Sequence, residues 1–136
     1  MRSGGARTTT GISVTIVRDP ALVRTVRLVA AAVARRGSRD EEFVEEVRLA
    51  VGEACALLVG ADATLAAVAD PVEVSMRLED RLRVVVRSGG AATAEDESTG
   101  DVDGIEPWAL LRGLITDFSV QRDVDGTALS MSWPLR

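Results

Sequence analysis

A chain of 136 residues supports one domain with a substantial core, and at 46% hydrophobic but 3% aromatic content that core must be built from Val, Leu, Ala and Ile. The net charge of −5, with every one of the 16 cationic residues an Arg, argues against direct nucleic-acid binding, which needs a basic face. With no His and only Cys55, zinc sites, His-dependent nucleophilic triads and an internal disulfide are excluded, in keeping with a reducing cytoplasm.

The polar start MRSGGARTTTG carries no signal peptide, and no apolar run is long enough to span a bilayer, so the expected location is cytoplasmic and off the membrane. Residues 1–10 read as a disordered leader, and residues 11–135 as a single domain. GISVTIV, residues 11–17, alternates with Ile12, Val14 and Ile16 on one face, which predicts a strand. A helix follows: Asp19 suits its N-cap, Pro20 its first position, and Gly37 its end. Leu22, Val26, Val29 and Val33 form its buried stripe. Ser38 or Asp40 opens a second helix that runs to about Val59, with Glu41 and Glu42 near its positive end.

VEVSMRLED and RLRVVVRS alternate cleanly and predict two strands. Val72, Val74, Met76, Leu78, Leu82, Val84 and Val86 point inward, and Glu79-Asp80 makes the turn. Residues 88–104 are Gly-rich, acidic and aperiodic, which predicts a loop. Within it Glu95, Asp96 and Glu97 form a solvated run or a contact for a basic partner. EPWALLRGLITDF predicts a third helix, and residues 119–135 a closing hairpin that turns at Asp125-Gly126 with Leu129, Met131 and Trp133 inward. Trp133 reads as core, and Trp108 as packing at a helix start or a partner anchor. One sheet face is apolar and the other polar, so the expected fold is an α/β (α+β) two-layer sandwich, its sheet mixed and mostly antiparallel, with helices on one face.

The element order, the helix VRLAVGEACALLV and the closing LLRGLITDFSV…DGTALSMSWPL resemble the Bergerat-fold (GHKL) ATPases, and within them the small bacterial anti-sigma factor serine kinases. That resemblance implies a protein that sequesters a sigma factor and phosphorylates a STAS-domain anti-anti-sigma factor. It also implies an E-A-x-x-N box in the second helix. Glu53 stands at the glutamate that activates the substrate hydroxyl, or reads as a solvated carboxylate at the pocket mouth. Leu57 stands where asparagine would ligate magnesium, and a hydrocarbon offers no oxygen to a hard cation.

The other boxes depart from the pattern as well. Where D-x-G-x-G would hold adenine, Ser88 replaces the aspartate, Gly90 is kept and Ala92 replaces the second glycine. Ile105 and Pro107 replace the glycines of the phosphate turn, and proline lacks the amide donor. Gly126 and Thr127 keep the last box, although a DG hairpin turn would also explain them. Arg24 aligns with an arginine that similar anti-sigma factors present to partners, or is an exposed helix arginine.

Phosphoryl transfer depends on positioning and electrostatics, so these losses weigh against catalysis. The expectation is a regulatory protein that binds a sigma factor and/or a STAS-domain anti-anti-sigma factor. It would be a homodimer with no cofactor, and Glu53 would be retained but inactive. The alternatives are an active serine kinase using ATP and magnesium, and a scaffold binding something else.

Overall fold

The computed structural model describes residues 10–60, 71–89, 117–123 and 126–135. Five strands form one antiparallel sheet: β1 (Thr10–Ile16), β2 (Val72–Leu78), β3 (Arg81–Ser88), β4 (Asp117–Asp123) and β5 (Gly126–Pro134), in the order β1-β2-β3-β5-β4. Two helices, α1 (Val23–Gly37) and α2 (Glu41–Gly60), pack on each other and on β2 and β3. The α+β sandwich is as expected, and each described strand pairing is antiparallel.

Local chemistry explains the corners. Asp19 does cap, but the segment it opens is a 3₁₀ turn, Pro20–Leu22, that leads into α1; its Oδ1 accepts from the Ala21 amide at 3.0 Å. Both candidates for the next cap take part. Ser38 Oγ accepts from the Asp40 amide at 3.1 Å, and Asp40 Oδ1 accepts from the Glu42 amide at 3.0 Å, so two orphan donors are met in three residues. Gly37 sits where a Cβ would come 2.7 Å from Leu78 Cδ1, so a side chain there would need the Leu78 side chain to move aside.

The core lies between the layers. Val26, Ala30, Val33 and Ala34 of α1 meet a buried stripe of α2 that includes Phe43, Val47, Val51 and Cys55. Leu22 and Val29, expected in the buried stripe, are half-buried at its margin. Every inward position expected on β2, β3 and β5 is buried, Trp133 among them; its Nε1 is buried with no hydrogen-bond partner among the described residues. The turn at Glu79-Asp80 closes with the Glu79 amide donating to the Arg81 carbonyl at 3.0 Å.

Three boundaries differ from expectation: β1 stops at Ile16 and leaves out Val17, read as its last residue, and two others shift as follows. Thr10, read as leader, is the first residue of β1. Asp117 and Phe118, read as the end of the third helix, begin β4 instead. Phe118 pairs with Met131 and packs on the core, while Asp117 is held by Arg81, so sheet pairing overrides the helical spacing there. The rest of that helix, Trp108, the acidic run 95–97 and residues 1–9 lie outside the described residues.

Candidate functional site

The resemblance points to the end of the sheet where β3 stops beneath the last turns of α2. A register row runs across it: Ile16 on β1, Val72 on β2, Ser88 on β3, Thr127 on β5 and Arg122 on β4. Ser88 and Thr127, two of the residues expected to touch nucleotide, are thus direct cross-strand neighbours. Gly126, at the start of β5, has φ 135, a backbone conformation that favours glycine, and this gives it a turn role independent of any ligand. Gly90, Ala92, Ile105 and Pro107 lie outside the described residues.

Ser88 is 5% exposed and already engaged. Its hydroxyl accepts from Nη2 of Arg18 and donates to the Gly89 carbonyl at 3.3 Å. Nη1 of the same guanidinium donates to the Leu58 carbonyl at 2.9 Å. That carbonyl is one of the last four of α2, which have no partner within the helix, and a cation there also meets the negative end of the helix dipole. Arg18 lies two residues past the end of β1, and its guanidinium reaches Ser88 at the end of β3, which is two strands away in the sheet.

Glu53 is half-buried on α2. Leu57, one turn later, packs against the hydrophobic core, so its isobutyl group has a structural role where the resemblance implies a metal ligand. Among the described residues no cluster of three or more His, Cys, Asp or Glu could hold a metal ion.

Arg24 does not meet Ser88 or Glu53 in any hydrogen bond or ion pair. It lines a cleft of about 260 Å³ between the first turns of α1 and the last turns of α2, together with Arg27, Val23, Ala56 and Val59. Burial pushes the nearby Cys55 thiol up to about 11, partly opposed by the charge of Arg27, so this cysteine stays a protonated, inert core group at neutral pH.

Arg18, Arg27 and Gly52 escaped the sequence reading. The signal for Gly52 was present, a glycine inside the apolar stripe of a helix, which marks close approach. Arg18 offered only its place between a strand and an Asp-Pro cap, and its contacts depend on the strand order.

The Histidine kinase-like ATPase domain family matches residues 16–133. No curated protein matches the chain. Among solved structures, the crystal structure of the RsbU and RsbW domains of Rv1364c from Mycobacterium tuberculosis superposes with a TM-score of 0.69 at 16% identity, over 93% of this chain and 32% of that one. This chain therefore spans about a third of that protein, and the likeness is one of fold. With the match extending over both helices and the four strands β2 to β5, the chain belongs to the Histidine kinase-like ATPase domain family.

Proposed function

We propose that this domain is a partner-switching regulator that binds a sigma factor, a STAS-domain anti-anti-sigma factor or both, without ATP and without kinase activity. One observation carries the reading. The hydroxyl of Ser88, at the position that in similar kinases accepts from the adenine amino group, already accepts from Arg18. The guanidinium supplies from inside the chain the N–H donor that a base would bring. Leu57 supports the same conclusion, because its side chain is committed to the core and has no oxygen for magnesium. Among the described residues, neither Ser88 nor Leu57 offers the oxygen-donor chemistry that a magnesium nucleotide would take there.

The helical layer has the character of a protein contact. Arg24 is exposed on α1, and Leu28 and Leu49 are the exposed large apolar side chains of α1 and α2. Glu53 favours the second reading, an active serine kinase, since the carboxylate is still present and half-buried on α2.

Two measurements separate them. Titration calorimetry with Mg-ATP gives no binding heat under the first reading, and a dissociation constant of about 1 μM would establish nucleotide binding. Incubation with a STAS-domain partner and Mg-ATP leaves the partner's intact mass unchanged. A phosphorylated partner that disappears with Glu53→Ala would establish the kinase.

A further inference from the structure

The backbone around Arg18 sets up the contacts of its side chain. Arg18 is the central residue of a three-residue turn, in which the Asp19 amide donates to the Val17 carbonyl at 2.7 Å. The chain then enters the 3₁₀ turn that Asp19 caps. Arg18 is thus fixed from both sides, two residues after the buried Ile16 of β1.

The two groups that its guanidinium joins are both acceptors, and they come from different elements. Leu58 lies in the last turn of α2, and Ser88 ends β3. Nη1 donates to the Leu58 carbonyl at 2.9 Å, and Nη2 donates to Ser88 Oγ. The hydroxyl sends its own proton to the Gly89 carbonyl, so it presents lone pairs to the site. Two acceptors served by one planar fork define a position for a flat edge rich in N–H donors.

We infer that Arg18 is a cis-acting plug in a latent nucleobase site: the acceptors of Ser88 and Leu58 suit the amino edge of an aminopurine, and the guanidinium holds them from inside the chain. The inference rests on the reading above that the site is closed to ATP, and adds that a single side chain closes it. A tethered group competes at an effective concentration in the range of about 1 mM and loses no translational freedom on docking. A free base that makes the same two contacts therefore stays out. Both contacts are to the edge of the base, so neither calls for a metal ion.

The test uses the full chain and follows amide NMR shifts. Adenosine and inosine are titrated to about 10 mM, which covers weak binding, against the wild type and Arg18→Ala. Inosine carries an oxygen acceptor where adenosine carries the amino donor. The expected result is saturable shifts at Leu58, Ser88, Gly89 and Thr127 with adenosine alone, and in Arg18→Ala alone. Ethylguanidinium, the severed end of the arginine, should then compete with adenosine. Propylammonium, which lacks the planar fork, should not.

A folded Arg18→Ala that leaves adenosine unbound overturns the plug, while the ATP-free reading of the wild type stands. Equal adenosine shifts in the wild type overturn both. Inosine binding as tightly as adenosine, or propylammonium competing as well as ethylguanidinium, overturns the assignment to an N–H edge. Should Arg18→Ala fail to fold, the wild type decides. Its Arg18 Nη protons should give separate, slowly exchanging signals, as for a guanidinium held at both ends, and a single rapidly exchanging signal overturns the plug.

Discussion

Arg18 is the side chain on which the reading of the site turns, and it makes separable claims at the level of single groups. Its guanidinium satisfies a buried hydroxyl and an end-of-helix carbonyl at once, so removing it leaves both short of a donor. Arg18→Ala should cost about 1–3 kcal/mol in denaturant unfolding, the range for hydrogen bonds to charged groups in partly buried surroundings. Lysine should restore little, because a single ammonium cannot fork between Ser88 Oγ and the Leu58 carbonyl as a planar guanidinium does. Cys55 gives a second test at this scale. Its folded thiol is raised from 9.0 to about 11, so the native state holds the proton longer than the unfolded chain does. Its contribution to stability is then complete below about pH 9 and is lost as pH rises towards 11. Thiol-reactive dye should label the native protein negligibly at pH 7 and fully in denaturant. Fast native labelling would show that Cys55 is not the buried group described.

At the scale of elements, the clearest strands in the sequence were those with one wet face. β2 and β3 alternate without interruption, and each inward position they imply is buried. The caps of α2 were legible because Ser38 and Asp40 have short oxygen-bearing side chains just ahead of an apolar period. β4 was partly missed. Its first two residues continue the spacing of the preceding helical pattern, and only pairing with β5 and the Arg81 contact assign them to the sheet. The site was legible to the same limited degree: Ser88 could be placed at a strand end, but its donor is 70 residues away in sequence. That separation is bridged only when β1 and β3 flank β2, an order that no local periodicity encodes. Phe43 tests the packing of the helical layer. It is wholly buried in the first turn of α2, so Phe43→Ala should cost about 3–5 kcal/mol in the same unfolding assay. A loss under about 1 kcal/mol, the scale of an exposed site, would mean that the first turn is not docked.

For the whole molecule, the two edges of the sheet are treated differently, and this bears on assembly. β4, at one edge, carries Asp117 and Arg122, and charge along an edge deters pairing with another chain. β1, at the other edge, reads TGISVTI, with no charged residue and no proline, and Ile12 remains 37% exposed on it. An unguarded edge of seven residues leaves backbone donors and acceptors on one side for a partner strand. Two copies meeting β1 to β1 about a two-fold axis would satisfy these groups in both chains with the same surface, as a closed symmetric dimer requires. The expected species is therefore a homodimer through β1. Light scattering at about 10–100 μM protein, a range in which a standard-size interface is populated, should report twice 14.4 kDa. Ile12→Lys places a charge on the open edge and should return the monomer mass without loss of fold, as read by circular dichroism. A wild-type particle of 14.4 kDa across that range would refute the pairing and leave β1 as a bare edge. A dimer that survives Ile12→Lys would place the interface on another surface.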